Sequence, residues 1–347
     1  MRATISDVAR RANVSTATVS YVLNGSQRVS EETRARVLQA AKELGYQPNA
    51  LARGLVKNQT RNIGLVIPRT AEYVFSDPYF AELLKGICTV IAREDYFLVL
   101  SLLTGVEDFG RVMTGLINQR RVDGVIMVCT ARDSEEVARL QTANIPFTLI
   151  GTCYLPEVTS IDVDNEHGAY LAARHLLDLG HRRIAYIAGD MRYENAVQRY
   201  KGFQRALTEA GCQVADVYPG DFTQAAGVAG ARHVLQNNPE VTAIACASDL
   251  MAHGAMSAAR DLGYSIPHDL SIVGFDDIPL SQESEPKLTT VRQPIARLGF
   301  LATERIIAMI EDREDPAEGD KQVLQTELVV RCSTARPREL KTGRDNW

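Results

Sequence analysis

The sequence predicts a small all-α head followed by an α/β body of two lobes. Three observations lead to this fold class. The chain has 347 residues, which is too long for one ordinary domain. Its first 50 residues or so contain short helical stretches, and from about residue 61 apolar β-rich runs alternate with helical ones. Continuous apolar strands separated by helices are typical of parallel sheets that are covered on both faces.

The charge of the chain is unevenly distributed. The first 60 residues contain nine Lys or Arg and four Asp or Glu, whereas the remainder contains 29 basic and 39 acidic residues. The net charge of −5 therefore conceals a basic head on an acidic body. Such a head is typical of nucleic-acid binding, although a basic segment without a partner has the same composition.

Three helices are predicted in the head. Thr4 and Asp7 have the spacing of a capping box, and Asn13 is one of the few residues that tolerate a left-handed turn. Ser or Thr precedes each predicted helix as its N-cap, and Gly45 follows the last one. The helices and their caps are 5–12 after Thr4, 16–23 after Ser15 and 31–44 after Ser30.

The first two helices have the spacing of a helix-turn-helix. Ala9 is small where the helices must approach closely, and four valines can form their shared face: Val8, Val14, Val19 and Val22. Short polar or methyl-bearing side chains then face outward and suit a DNA major groove: Thr16, Ala17, Thr18, Ser20 and Tyr21. A helix pair that merely packs is the alternative, and the basic head favours DNA binding.

The segment QPNALARGLVKNQTRN, residues 47–62, follows the head. Pro48–Asn49 can start a helix of about two turns that contains Gly54, and a helix this short is marginal in water on its own. Two interpretations remain open. The segment is either a plain linker or a hinge that orders only when DNA and a second copy of the chain hold it.

The body contains seven apolar runs with the character of buried strands. The pattern weakens at 152–165 and then resumes, and seven units are many for one sheet. We therefore expect two α/β lobes with a cleft between them. The runs are IGLVI (63–67), FLVLSLL (97–103), GVIMV (124–128), FTLI (147–150), IAYIAG (184–189), TAIACAS (242–248) and LSIVGF (270–275).

Polar or aromatic residues follow four of these strands. Ligands of open parallel sheets bind beyond the carboxyl ends of the strands, so these segments predict a polar ligand site in the cleft. Taken singly, an Asp after a strand is often only a helix cap. The four segments are Ser76–Phe80, Asp190–Arg199, Ser248–Asp249 and Asp276–Asp277.

Several function classes lack their motifs. The sequence has no GxGxxG, P-loop, HExxH or GxSxG, and the calcium-like stretch 162–168 lacks the required Gly and Glu. We therefore expect no enzyme activity, no cofactor and no metal. The six cysteines form no CxxC pair, which predicts buried thiols in a reducing cytosol. The polar start MRATISDVAR and the absence of an apolar run of roughly 20 residues predict a cytoplasmic protein without a membrane span.

From about Thr4 to about Arg336 the chain resembles the lactose/galactose/purine repressor family of bacterial transcription regulators. Its most specific part is TISDVARRANVSTATVSYVLNG, followed by VSEETRARVLQAAKELGYQPNALARGL. Further family-like stretches are DPYFAELLKGI, RVDGVIM, VDNEHGAYLAARHLLDLGHRRIAYIAG, RYKGF, ASDLMAHGAM and IPHDLSIVGFDD.

The resemblance implies a homodimeric, effector-controlled repressor that binds a near-palindromic DNA operator. Its core would be periplasmic-binding-protein-like, with parallel, doubly wound sheets and a small-molecule effector between the lobes. The implied domains are a helix-turn-helix headpiece at 1–48, a hinge helix and linker at 49–60, an N-terminal lobe at 61–161 and about 293–321, a C-terminal lobe at 162–292 and about 322–340, and a polar tail at 341–347.

The resemblance also implies roles for individual residues. Thr16, Ala17 and Tyr21 take base-reading positions. Leu55 takes the hinge position whose side chain wedges into the minor groove, and it is flanked by Ala52 and Arg53. Arg199 and Asp276 can hydrogen-bond vicinal hydroxyls, and Phe222 can stack on a ring face. The effector-contacting set is Tyr79, Phe80, Tyr193, Asn195, Arg199, Phe222, Ser248, Asp249 and Asp276.

The chain departs from the family at three points. Many relatives have Arg where this chain has Tyr21, so the operator preference does not carry over. Purine-binding members have Arg and Thr in place of Tyr193 and Asn195, which favours a sugar, a sugar derivative or a nucleoside over a nucleobase. The C-terminal ARPRELKTGRDNW has no leucine heptad, so we expect a dimer and not a tetramer.

Three alternative functions remain. The first is a nucleoside- or nucleobase-responsive regulator. The second is a sugar-binding receptor on the same two-lobed core, which would need a signal peptide and no basic head. The third is a cytosolic α/β enzyme that uses a carboxylate pair such as Asp276 and Asp277.

Overall fold

The computed structural model describes most of the chain, and two compact units make up the fold: Met1–Arg61 and Asn62–Trp347. The first unit corresponds to the predicted head and the second to the predicted body. The described residues are 3–23, 26, 28–46, 59–102, 108–128, 136–143, 145–153, 155, 157–311 and 319–338. Most of the expected hinge and all of the expected tail lie outside them.

The head contains the three predicted helices, α1 Ile5–Ala12, α2 Thr16–Leu23 and α3 Glu31–Glu43. Thr4 and Asp7 form the capping box of α1, and Asn13 ends that helix in the left-handed conformation with a φ of 54°. Before α2, Ser15 Oγ accepts a hydrogen bond from Thr18 N at 3.1 Å. The hydroxyl groups that weaken a helix interior therefore stabilise the helix starts in this head.

Short side chains form the core of the head. Val8, Val19 and Val22 are buried, and the partly buried Val14 packs against them, which confirms the predicted apolar face. The other buried members of this core are Ala9, Ala12, Val37, Ala40 and Ala41. Alanine at the contacts lets the helix backbones come close to one another.

The body alternates strands and helices, and the seven predicted strands are all present. The described strands are β1 Asn62–Ile67, β2 Phe97–Leu102, β3 Gly124–Val128, β4 Phe147–Ile150, β5 Ser160–Val163, β6 Ile184–Ala188, β7 Val217–Pro219, β8 Ala243–Cys246, β9 Ser271–Asp276, β10 Thr289–Arg292, β11 Lys321–Leu324 and β12 Glu327–Val329. The described helices are α4 Ala71–Ser76, α5 Pro78–Arg93, α6 Asp108–Met113 with a π-helical turn Thr114–Asn118, α7 Glu136–Thr142, α8 Asn165–Asp178, α9 Glu194–Glu209, α10 Gln224–Asn237, α11 Asp249–Asp261, α12 Leu280–Glu283 and α13 Ile295–Ile310.

Two sheets of six described strands each form the two lobes. The first has the order β11-β5-β4-β3-β1-β2, and all its pairs are parallel. The second has the corresponding order β12-β10-β9-β8-β6-β7, in which only the described pair of β10 with β12 is antiparallel. This strand order is that of a doubly wound sheet, which binds ligands where the order reverses.

The chain passes between the lobes after β5, after β10 and after β11. The stretch 152–165, where the sequence pattern weakens, contains β5, which is part of the first sheet. The expected lobe boundaries at 161 and 321 are therefore a few residues too early, because β5 extends to Val163 and β11 to Leu324. Short strands at a lobe crossing have no long apolar run to reveal them.

The cysteines correct another expectation. Of the five described cysteines, all free thiols, only Cys246 in β8 is buried, and Cys88 on the outer face of α5 and Cys332 are exposed. Cys129 lies outside the described residues.

No group of three or more His, Cys, Asp or Glu in the described part of the chain could hold a metal ion. None of the helices described above combines the length and apolar character needed to cross a membrane.

Candidate functional site

A cleft lies between the two lobes of the body, at the carboxyl ends of their strands. Its volume is about 790 Å³, including the part open to solvent. Both lobes contribute walls, because loops after β1 and β4 face loops after β6, β8 and β9. Eight of the nine predicted effector residues line it: Tyr79, Phe80, Tyr193, Asn195, Arg199, Phe222, Ser248 and Asp276.

Arg199, on helix α9, lies at the centre of a buried hydrogen-bond network. Its Nε donates to Asn165 Oδ1 at 2.9 Å, and its Nη1 donates to the Ala247 carbonyl at 2.6 Å and to Asp276 Oδ1 at 3.3 Å. The guanidinium also stacks on the Phe275 ring, 3.7 Å from its centroid. No described residue accepts a hydrogen bond from Nη2, so this group is the donor that remains for a ligand.

Asp276 ends strand β9 beside Arg199. Its φ of 130° is a conformation that few residues other than glycine adopt, and such strain is common at binding sites. Oδ1 accepts hydrogen bonds from Arg199 and from Gln293 Nε2, the latter at 2.5 Å, and Oδ2 accepts none from a described residue. Burial raises the pKa of Asp276 to about 8; Arg199 opposes the rise, and nearby Asp249 and Asp77 add to it.

The neighbouring carboxylate turns the other way. Asp277 accepts hydrogen bonds from Arg292 Nε at 2.6 Å and from Arg331 Nη2 at 2.5 Å; Arg292 ends β10, and Arg331 follows β12. It therefore forms no carboxylate pair with Asp276 in the cleft. The carboxylate pair that an α/β enzyme would use is therefore absent at the end of β9.

Asp249 is not a cleft residue, which corrects the sequence prediction. It is fully buried, and its carboxylate accepts hydrogen bonds from Ile278 N at 3.0 Å, from Ser281 Oγ at 2.6 Å and from Thr290 Oγ1. Burial raises its pKa to about 6. Asp249 thus anchors the loop after β9, whereas its neighbour Ser248 caps α11 and does reach the cleft.

Phe222 enters the cleft from the loop before α10, with a left-handed φ of 72°. Its ring lies over the backbone at the end of β6, where Gly189 has no side chain. A Cβ on Gly189 would meet the Phe222 ring at 2.1 Å, so only glycine leaves room for the ring here. The ring is 8% exposed, and one side of it is available to the cleft.

Three carboxylates of the cleft were not among the predicted contacts: Asp77, Asp162 and Glu194. Asp77 caps helix α5, accepting a hydrogen bond from Tyr79 N at 3.0 Å, and Asp162 accepts from Thr152 Oγ1 at 2.5 Å and from Val163 N at 2.7 Å. Burial raises the pKa of both groups. Asp77 stands in the predicted segment Ser76–Phe80 and Glu194 in the predicted segment Asp190–Arg199, whereas Asp162 lies in the calcium-like stretch, within the unpredicted strand β5.

Arg69 is another lining residue that sequence reasoning missed. It follows β1, and its guanidinium lies between two aromatic rings, 4.7 Å from the Tyr73 centroid and 4.0 Å from the Tyr193 centroid. Tyr73 belongs to the first lobe and Tyr193 precedes α9 of the second. Arg69 therefore spans the cleft through cation–π contacts.

The outward face of α2 carries the predicted DNA-reading residues of the head. Thr16, Ala17 and Tyr21 are exposed, and Tyr21 reaches 48% exposure despite its large ring. Thr18 and Ser20 are half-buried, which corrects their placement on that face. Thr18 Oγ1 lies 2.9 Å from Ser15 Oγ. The predicted hinge residues Ala52, Arg53 and Leu55 lie outside the described residues.

The head and the body each match a known family. Residues 4–49 match the bacterial regulatory proteins of the lacI family, and residues 173–334 match the periplasmic binding protein-like domain. The HTH-type transcriptional repressor PurR of Serratia proteamaculans (strain 568) is 36% identical over 340 residues, which cover 96% of this chain and 97% of that protein. The chain belongs to the lacI family of bacterial regulatory proteins. It is therefore a DNA-binding transcriptional regulator and not an enzyme.

Solved structures of lacI-family regulators share this fold. The Lac repressor dimer bound to operator and the anti-inducer ONPF has a TM-score of 0.86 at 30% identity, over 96% of this chain and all of that one. The transcriptional regulator CelR in complex with cellobiose has a TM-score of 0.75 at 34% identity, with the same coverage. The resemblance drawn from the sequence motifs is confirmed, as is the two-lobed, doubly wound core.

Proposed function

We propose that this lacI-family regulator is a repressor whose operator affinity is set by a sugar or sugar derivative held in the cleft. The observation that carries the proposal is the Arg199–Asp276 pair. The pair leaves a donor, Nη2, and an acceptor, Oδ2, without a hydrogen bond to any described residue, and vicinal hydroxyls can accept from the first and donate to the second. The cellobiose in the CelR complex supports a carbohydrate.

Both lobes take part in holding the ligand. Arg199, Phe222 and Asp276 bind from the second lobe, while Tyr79 and Phe80 bind from the first. A ligand that touches both lobes stabilises the lobe arrangement that it fits best, since differential affinity is what shifts a conformational equilibrium. In the proposed homodimer this shift changes how two heads meet the two half-sites of a near-palindromic operator. We place the protein in the bacterial cytoplasm, where its operator lies.

We expect Gly189→Ala to weaken sugar binding. The new Cβ would overlap the Phe222 ring, so the ring must leave its stacking position in the cleft. Aromatic stacking is worth about 0.5–1.5 kcal/mol, which corresponds to roughly a twofold to tenfold loss of affinity. Isothermal titration measures this loss, with the sugar that the thermal-shift screen described below identifies. Gly115→Ala is the control, because a Cβ there meets nothing within 4 Å; equal losses in both variants would contradict the role given to Phe222.

We expect Leu55→Ala to weaken operator binding and to reduce DNA bending. In the proposed hinge, Leu55 from each subunit wedges into the minor groove, and an alanine is too short to hold a base step open. Electrophoretic mobility of circularly permuted DNA fragments reports the bend angle. Sugar affinity in the absence of DNA should stay unchanged, and an unaltered bend angle would show that the hinge assignment is wrong.

A thermal-shift screen followed by an operator-binding assay tests the proposal as a whole. A ligand that binds only the folded state raises the melting temperature by an amount that grows with its concentration. The panel contains mono- and disaccharides, nucleosides and nucleobases. We expect stabilisation by a carbohydrate, which then changes operator affinity in a gel-shift assay; stabilisation by a nucleobase alone would overturn the sugar assignment and favour the nucleobase-responsive regulator.

A further inference from the structure

Asp276, at the end of β9, belongs to a strained stretch of backbone. Its φ of 130° is followed by a φ of 59° at Asp277, and both values lie in the region that favours glycine. Residues other than glycine keep such angles only where the surrounding structure holds them in place. The direction of the Asp276 side chain therefore depends on contacts that other residues make with this stretch.

The carboxylate of Asp249 holds the residue that follows the strained pair. Its Oδ2 accepts a hydrogen bond from the backbone N–H group of Ile278 at 3.0 Å and another from Ser281 Oγ at 2.6 Å. Its Oδ1 accepts from Thr290 Oγ1 on the neighbouring strand β10. Asp249, Ser281 and Thr290 are fully buried, so solvent water does not compete for these contacts. The carboxylate thus ties the loop after β9 to the start of helix α11.

Strand β9 leaves room for this carboxylate. Gly274 lies two residues before Asp276, and a Cβ on Gly274 would collide with Asp249 Oδ1. Only glycine therefore lets the carboxylate approach the strand this closely. The Asp277 side chain is held separately, by the two arginines described above. Two independent sets of contacts thus fix the strained pair.

We infer that Asp249 is a positioning residue of the effector site, which raises ligand affinity from outside the cleft by holding Asp276 in its strained conformation. This inference rests on the proposed binding of a sugar by Arg199 and Asp276. Asp249 is not among the described residues that line the cleft, so it acts through Asp276. A side chain that is already held in its binding conformation loses little conformational freedom when the ligand arrives, and this raises affinity.

Two substitutions at Asp249 separate hydrogen bonding from shape. Asp249→Leu keeps nearly the same shape but accepts no hydrogen bond, so the buried N–H group of Ile278 loses its partner. Asp249→Asn keeps one oxygen for Ile278 and Ser281, and its amide can donate to the hydroxyl of Thr290, which accepts as well as donates. We expect sugar affinity to fall at least about tenfold in Asp249→Leu and to stay within about threefold of wild type in Asp249→Asn.

Ser333→Ala is the matched control, because Ser333 is another fully buried side chain that holds backbone groups of the same lobe. It donates to the Ile272 carbonyl at 2.6 Å and accepts from Thr289 N at 2.8 Å, and it does not line the cleft. This variant should lose stability and keep its sugar affinity. The probe is whichever of glucose, galactose, ribose and cellobiose raises the melting temperature of wild-type protein most, and isothermal titration measures its affinity.

A double-mutant cycle with Asp276→Gly decides whether Asp249 acts through Asp276. Glycine adopts a φ of 130° without strain and has no side chain to aim, so nothing remains for Asp249 to position. Residues that act through one another have non-additive effects, whereas independent residues add. Asp249→Leu should therefore cost no more than about threefold in the Asp276→Gly background. Equal losses in both backgrounds, or wild-type affinity in Asp249→Leu itself, would overturn the inference.

Ser281→Ala covers the case in which Asp249→Leu does not fold. It removes one of the two hydrogen bonds that fix the loop to Asp249 Oδ2 and leaves the other in place. We expect its sugar affinity to fall by about threefold or more. Wild-type affinity in a folded Ser281→Ala protein would count against the inference as directly as it would in Asp249→Leu.

Amide hydrogen exchange followed by mass spectrometry tests the positioning contact without a ligand. Residues 276–281 should exchange faster in Asp249→Leu, or in Ser281→Ala, than in Ser333→Ala, because only the first two variants release the loop after β9. Equal exchange would refute the hold that Asp249 exerts. If no carbohydrate binds, the proposed function fails, whereas the exchange comparison still decides whether Asp249 positions Asp276. The cycle is then repeated with the nucleoside or nucleobase that the thermal-shift screen identifies.

Discussion

We expect Arg199→Ala to abolish the response to the sugar effector while leaving operator binding intact. The variant loses the free donor Nη2, and it leaves Asp276, Asn165 and the Ala247 carbonyl without their buried partner. Loss of a hydrogen bond to a charged group costs about 1–3 kcal/mol or more, so sugar affinity should fall roughly tenfold to hundredfold or further. Titration with the sugar and a gel shift with operator DNA measure the two properties.

The structure adds a stability cost that the sequence alone did not predict. Arg199 and Asp276 form an ion pair with side chains 5% and 9% exposed, and removing one partner of a buried pair typically destabilises by about 3–5 kcal/mol. The melting temperature of Arg199→Ala should therefore fall by roughly 5–15 °C. Arg199→Lys keeps a positive charge near Asp276 but lacks the planar fork, so it should recover part of the stability without recovering sugar affinity.

Arg205→Ala is the matched control for this experiment. Arg205 stands on the same helix, but its side chain is 44% exposed and its ion pairs with Glu166 and Glu209 are at the surface. Surface pairs contribute little, so this variant should be close to wild type in stability and in sugar binding. Arg199→Ala protein that is folded, bound to operator and still responsive to the sugar would show that the effector site lies elsewhere.

The sequence predicted the head and most strands because their signals are local. The capping box of Thr4 and Asp7, the left-handed Asn13 and the buried valines are readable without knowledge of distant contacts. The strands that escaped prediction, β5, β7 and β10 to β12, are short, and most lie at a sheet edge or a lobe crossing. Pairing with residues far away in the chain stabilises them, and a local pattern does not record such pairing.

The cleft could be predicted only in part, for a similar reason. Ser248 and Asp249 are consecutive residues after β8, yet the first lines the cleft and the second turns into the protein toward Ser281 and Thr290. The position after a strand predicts that a polar group reaches the edge of the sheet, but not which way its side chain turns. Arg69 was missed because its role depends on Tyr193, which the fold brings from the other lobe.

Operator affinity should depend steeply on salt. Basic side chains of the head neutralise phosphates and release counterions, and a protein that contacts six to ten phosphates loses roughly 10³–10⁵ in affinity between 50 and 200 mM salt. Arg10 is a candidate contact, because its side chain is 81% exposed and its only described ion pair, with Asp7, is 3.5 Å long. Arg11 has a shorter ion pair, 2.6 Å from its Nη2 to Glu43 Oε2.

The decisive measurement is the slope of the logarithm of operator affinity against the logarithm of salt concentration, taken on DNA that the wild-type protein selects from a random pool. Each lost phosphate contact lowers this slope by about one, so Arg10→Ala should lower it by about one per head, or two per dimer. The control is Arg232→Ala, which removes one surface charge from the body. The Arg232 side chain is 52% exposed and pairs with Asp261. This variant should leave the slope unchanged. A flat salt dependence, or equal changes in the two variants, would mean that the basic head does not hold the DNA backbone, and the charge asymmetry of the chain would then need another explanation.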